Sequence, residues 1–342
     1  MKSKLVWVLL IILLLQSIFI IYKFEIFNLT VLNPLVSTNL SPTPKPLEKY
    51  SFENLKSRNY PGSLFEFGQI LSNQPLFTSQ MFYFTSDGKK VSGLITYPKK
   101  TNNAPVIVLI RGFVDPTIYE TGVGSKHVGE ELAKNGFVTV SPDFLGYGES
   151  ASPSAQPIEE RFETYTTVLN LLSSIKYLNR SFTDNNLNIS VNPDHVGIWG
   201  HSNGGHIALA VLEISGSTYP TVLWAPVSKP FPYSILYYTD EYEDLGKKLR
   251  KLVADFEKDY DADKYSISEY FDRINAPIII QQGDSDEAVP QKWSDELYKT
   301  LKNLQKDVAY FTYPGEDHNF NRGNWSKIVA KDISFYNKYL NP

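Results

Sequence analysis

The segment Gly200-His201-Ser202-Asn203-Gly204 holds a serine hydroxyl between two glycines at i−2 and i+2. An apolar run ending at Trp199 precedes it, and a run rich in Ala, Leu and Ile follows Asn203. Strand, sharp turn and helix in that order form a nucleophile elbow, which lifts a serine hydroxyl above a sheet. Glycine is needed where strand and helix backbones approach too closely for side chains. At the start of the helix, free N–H groups favour developing negative charge.

A serine hydroxyl is a weak nucleophile at neutral pH. It needs a base, and the base needs a third group to fix its tautomer. The chain has five histidines. His127 falls in an early helical stretch and His195 before the elbow strand. His201 is too close in sequence to fold back onto Ser202, and His206 lies a turn along the next helix. His318 remains, in a loop after the last expected strand. Asp284, Asp286 and Glu287 compete as the orienting acid, in the loop after an earlier strand; Asp317 adjoins the histidine and presents itself poorly to it. The order Ser202, Asp286, His318 is the one expected of α/β hydrolases. An oxyanion would be held by the N–H of Asn203 and by a second donor from the loop after Ala104–Ile110, for which Phe113 is expected.

The remaining elements have to place these groups at one end of one sheet. Phe77–Phe84 and Val91–Tyr97 flank Asp87-Gly88, a hairpin signal. Strands are expected at Ala104–Ile110, Gly136–Ser141, Tyr219–Trp224, Pro277–Gln281 and Val308–Tyr313. Helices are expected at Gly124–Asn135, Pro157–Leu178, Lys292–Leu304 and Trp325–Tyr339. Their alternation predicts an α/β class: a mostly parallel sheet with helices on both faces and the site at the carboxyl ends of the strands. Pro226–Asn275 interrupts it and reads as an inserted helical cap over the site. Its Glu241, Glu243 and Asp244 offer an amine-binding cluster or a solvated helix face. Leu47–Pro75 reads as a weakly structured lead-in.

Composition narrows the classes. The chain has 342 residues, is 42% hydrophobic and carries a net charge of −4 with no dense basic run, so nucleic acid is not an expected partner. Without cysteine there are no disulfides and no thiol catalysis. No metal or phosphate-binding motif stands out, and no cofactor is expected. Residues 1–4 are short and basic. Residues 5–22 run apolar, interrupted by Gln16 and Ser17, long enough to approach a bilayer core of roughly 30 Å. No small-x-small cleavage site follows, so an uncleaved transmembrane anchor is expected rather than a signal peptide. Lys2 and Lys4 put the N-terminus in the cytoplasm and residues 47–342 outside the cell membrane. Residues 23–46, with Pro42, Pro44 and Pro46, form a stiff linker.

From about Phe77 onward the chain resembles the prolyl oligopeptidase-like branch of the α/β hydrolases. The resemblance rests on Gly200-His201-Ser202-Asn203-Gly204-Gly205, the preceding Asn192-Pro193-Asp194-His195-Val196-Gly197, Gly283-Asp284-Ser285-Asp286-Glu287-Ala288-Val289-Pro290, and His318. Asp143, Gly146, Tyr147, Gly148 and Ser150 also match a family loop. In the family pattern the acid stands three residues after the glycine, which selects Asp286. The resemblance implies a serine hydrolase acting on a peptide, with an ester as the alternative substrate. A non-catalytic binder on the same fold is the rival outside enzymes. Two departures stand out. Arg111-Gly112 replaces the family's usual His-Gly, and fewer than 80 residues precede the hydrolase, too few for the family's propeller.

Overall fold

The computed structural model describes Gln16 and residues 45–340. The expected anchor (apart from Gln16) and the linker as far as residue 44 lie outside the described residues. Among the described residues no helix is long and apolar enough to cross a membrane. The chain divides into two units at Pro46/Leu47, and the second holds the sheet.

Among the described residues nine strands form that sheet: β1 (Glu66–Asn73), β2 (Phe77–Ser86), β3 (Lys89–Pro98), β4 (Thr101–Ile110), β5 (Val138–Pro142), β6 (Ile189–His201), β7 (Thr221–Trp224), β8 (Ile278–Gly283) and β9 (Val308–Tyr313). The spatial order is β1-β2-β3-β5-β4-β6-β7-β8-β9. The first three strands and the β3–β5 pairing are antiparallel; from β5 to β9 all pairs are parallel. Asp87 and Gly88 both adopt positive φ, closing the expected β2–β3 hairpin with Ser86 opposite Lys89.

The helices are α1 (Phe52–Ser57), α2 (Lys126–Lys134), α3 (Pro157–Ser174), α4 (Leu178–Asp184), α5 (Asn203–Ser215), α6 (Tyr233–Leu236), α7 (Lys247–Asp259), α8 (Gln291–Asn303) and α9 (Trp325–Leu340). They cover both faces. Ile107, Leu109 and Trp199 pack with Val128 and Leu132 of α2 and Ile328 and Tyr336 of α9. Val106, Val108 and Ile198 face the other way, toward α3 and α5. With both faces covered, the central strands have no polar side, which is why they read as continuous apolar runs.

Three expectations change. The lead-in is not unstructured: Ser51 caps α1 by accepting the Asn54 N–H, and β1 adds an edge strand. β1 shows no alternation because it is mostly solvent-exposed, and its pairing slips register twice. The long helix to Leu178 breaks at Ser174 into a 3-10 turn followed by α4. In the Pro226–Asn275 insertion the charged stretch Asp240–Tyr260, expected to be helical, becomes a helix only from Lys247, after Gly246 at φ 72°. Phe256 of α7 packs on Phe162 of α3, Phe231 and Tyr265.

Candidate active site

Ser202 joins β6 to α5 with φ 56° and ψ −121°, a conformation that costs a non-glycine residue free energy. Neighbours hold it there. A Cβ on Gly204 would overlap the Ile110 carbonyl, and one on Gly200 would meet the Gly204 backbone at 2.7 Å. Ser202 N–H donates to the Trp224 carbonyl at 2.9 Å, and its own carbonyl accepts from Val227 N–H at 3.0 Å. Its side chain makes no capping bond to α5, so the hydroxyl is not spent on the helix.

His318 sits beside this turn. Its carbonyl accepts from His201 Nε2 at 2.9 Å, and the two rings are 4.6 Å apart. A carbonyl only accepts, so the proton of His201 is on Nε2. Burial pushes His201 down to about 3, with the neighbouring His318 acting in the same direction, so this ring is neutral at working pH. The residue next to the serine therefore holds the backbone of the histidine loop.

His318 Nδ1 lies 2.8 Å from Asp286 Oδ2. A carboxylate oxygen accepts, so Nδ1 carries the proton and Nε2 of the neutral ring is the basic nitrogen. Asp286 has a fully buried side chain with every lone-pair direction used. Oδ1 accepts from Ala288 N–H at 2.9 Å and Val289 N–H at 2.8 Å; Oδ2 also accepts from Gln282 Nε2 at 2.9 Å. Burial alone would raise its pKa. The bond and charge of His318, followed by the Val289 N–H, outweigh burial and leave it below the usual carboxylate value.

The rival acids are placed elsewhere. Asp284 accepts from Gly315 N–H at 2.7 Å, Glu287 is exposed, and Asp317 caps its own loop through Asn319 and Asn321. The rival histidines are likewise occupied or distant. His206 is fully buried between Tyr165 OH and the Val227 carbonyl, each at 3.0 Å, and His127 is exposed on α2. Asp244 is exposed and caps α7 by accepting from Gly246 and Lys248 N–H.

The loop after β4 lies against the serine: a Cβ on Gly112 would come within 2.9 Å of Ser202 Cβ. Asn203 opens α5, where its N–H has no intrahelical acceptor, and Phe113 is three-quarters exposed at the same cleft. Sequence reasoning gave Arg111 no role, yet it fixes this loop. It is 4% exposed, donates Nη1 to the Gly112 carbonyl at 2.8 Å and Nη2 to the Asp143 carbonyl at 2.9 Å. Its guanidinium carbon lies 4.5 Å from the Tyr119 ring and 4.1 Å from the Tyr147 ring. Asp143, buried beneath, accepts from Ser92, Tyr119 and Thr121 hydroxyls. Its carboxyl is raised by burial, against the pull of those bonds. The cleft in front of Asn203 has a volume of about 200 Å³.

The sequence profile of the prolyl oligopeptidase family matches residues 130–342. The chain belongs to the prolyl oligopeptidase family. It is a serine-type hydrolase with an α/β-hydrolase-like fold. The Bacillus subtilis protein named uncharacterized peptidase YtmA is 25% identical over 254 residues, spanning 72% of this chain and 89% of that one. Dipeptidyl aminopeptidase BIII of Pseudoxanthomonas mexicana is 28% identical over 137 residues, 38% of this chain but only 19% of that one. The crystal structure of acetyl xylan esterase 1 from Thermoanaerobacterium sp. superposes with a TM-score of 0.58 at 17% identity, covering 86% of this chain and 95% of that one, a likeness of fold.

Proposed function

We propose that this family member hydrolyses a peptide bond through an acyl-enzyme. The observation that carries the reading is the His318–Asp286 pair beside a strained serine turn. Ser202 Oγ attacks the carbonyl while His318 Nε2 takes its proton. The oxyanion forms against Asn203 N–H, with Phe113 N–H as the second donor. His318 then protonates the leaving amine, and water repeats the sequence to release the acid. Asp286 holds the ring and stabilises its charged form without taking the proton. Family membership supports an amide substrate. An ester is the second reading, supported by a 26% identity over 146 residues to a protein named acetylxylan esterase, 40% of this chain and 28% of that one.

The test is kcat/KM of the full chain on dipeptidyl 4-nitroanilides and on 4-nitrophenyl esters. Amide turnover that Ser202→Ala abolishes supports the peptidase; ester turnover with no amide turnover replaces it with the esterase.

We also propose that residues 5–22 anchor the chain in the cell membrane with the catalytic unit outside, on the apolar run and the flanking Lys2 and Lys4. The insertion after β7 is proposed as a cap. Retention of the full chain in membranes after alkaline extraction supports the anchor; release contradicts it.

A further inference from the structure

The cleft beside Asn203 holds a cation that the proposed chemistry does not use. Arg161, in the second turn of α3, lines it together with Arg111, Phe113, Tyr165 and Asn203. The Arg161 Nε is buried without a hydrogen-bond partner, its Nη2 donates to Ser234 Oγ at 3.4 Å, and the Tyr165 hydroxyl lies close enough to feel the guanidinium. Among the described residues no carboxylate lies within ion-pair distance of it. Its charge is felt by buried neighbours, and it adds to the forces keeping His206 neutral.

A half-buried guanidinium without a counter-ion is costly unless something completes it. The other charges at this cleft do not. Glu163 is committed to Lys89, at 2.5 Å, and to Ser154 N–H. Glu160 sits at the rim, open to solvent on one side, and the partial burial of its carboxyl, with Glu163 beside it, raises its pKa. Arg111 already spends both Nη groups on carbonyls and its faces on tyrosine rings. Both guanidinia keep a buried Nε without an acceptor, but Arg161, unlike Arg111, has no carbonyl on either Nη and, among the described residues, no acid in ion-pair contact. A guanidinium fork matches a carboxylate in shape and charge.

We propose that Arg161 is a specificity-determining residue that binds a carboxylate of the substrate. The cleft adjoins the serine: Gly112, which packs on Ser202, and Asn203, which follows it, both line it. A carboxylate held there would belong to the substrate whose scissile carbonyl meets Ser202. It belongs either to the acyl half, as in a dicarboxylic monoester, or to the leaving half, as in a free peptide C-terminus. This inference rests on the reading of Ser202 as nucleophile.

Two measurements on the full chain test it and keep the two readings apart. The first is kcat/KM for 4-nitrophenyl hydrogen succinate relative to neutral 4-nitrophenyl butyrate, which has a methyl in place of the carboxylate, and for an N-acetyl dipeptide relative to its C-terminal amide. Wild type is expected to favour the carboxylate in one pair. Arg161→Gln should lower that preference about 10- to 100-fold, the range of a charge-assisted bond, mainly through KM, with Arg161→Lys intermediate. The responding pair names the half of the substrate. The second is calorimetric binding of monomethyl succinate, methyl butyrate, N-acetyl dipeptide and its amide to Ser202→Ala, which needs no turnover. A carboxylate preference that Ser202→Ala/Arg161→Gln loses supports the site even if the hydrolytic reading fails. Equal binding of charged and neutral partners, or a preference that Arg161→Gln leaves intact in a chain with wild-type circular dichroism, overturns it.

Discussion

His318 Nδ1 and Asp286 Oδ2 are 2.8 Å apart, and three further N–H donors pin the same carboxylate from the backbone of Ala288 and Val289 and from Gln282. The acid is thus fixed before the histidine arrives. Asp286→Asn is expected to keep the loop in place while presenting an amide donor to Nδ1. That favours the wrong tautomer and removes the charge that stabilises the imidazolium. kcat should fall roughly 10³- to 10⁴-fold at neutral pH with little change in KM. Steady-state kinetics check this, and a loss below tenfold contradicts the role assigned to Asp286.

Arg111 ties two loops together through two carbonyls and two aromatic faces, and Gly112 beside it borders Ser202. Arg111→Met keeps the length of the side chain but leaves both carbonyls without their donor. Melting temperature should drop by a few degrees, at about 1–3 kcal/mol for an abandoned buried group. kcat should drop with it as the oxyanion loop loosens. Arg111→Lys should not restore either, because an ammonium cannot fork to both carbonyls or stack between two rings. Thermal melts and kcat of the two variants are the check.

Glu213 lies on α5 at 0% exposure with neither carboxyl oxygen hydrogen-bonded. Burial raises its pKa well above the ordinary value, the Arg273 charge pulling the other way. The sign follows from that direction. With the folded pKa raised, the protonated form is favoured by folding, and stability is lost as pH rises from the unfolded value toward the folded one. Glu213→Gln cannot ionise. Its melting temperature should exceed wild type by a margin that is small at pH 4 and widens toward pH 8. The gain is roughly 1.5–2 °C for each kcal/mol in a unit of this size. A margin that does not change with pH would contradict this.

The sheet was readable where burial leaves a mark on both faces. β4, β7, β8 and the Val196–Trp199 half of β6 carry apolar runs because helices cover both sides, and the Asp87-Gly88 turn announces its hairpin through backbone sterics. β1 was not readable, since an exposed, bulged edge strand imposes no alternation. In the site, Ser202 and His318 stood out because an elbow and a histidine after the last strand are local signals. Asp286 needed a family pattern, because Asp284, Asp286 and Glu287 are equivalent until the loop folds and only Asp286 meets the Ala288, Val289 and Gln282 donors. Arg111, Gln282 and His201 act through contacts 32, 4 and 117 residues away in sequence. No spacing rule reports those contacts, although the Arg-Gly in place of His-Gly was the visible trace of the first.

Labelling of the full chain by a fluorophosphonate, read by peptide mass, tests the assignment of the nucleophile most directly. One phosphonyl group is expected per chain, on the peptide holding Ser202, with labelling abolished in Ser202→Ala and slowed at least a hundredfold in His318→Gln. Modification of another serine, or no labelling of a chain with wild-type circular dichroism, would contradict the account.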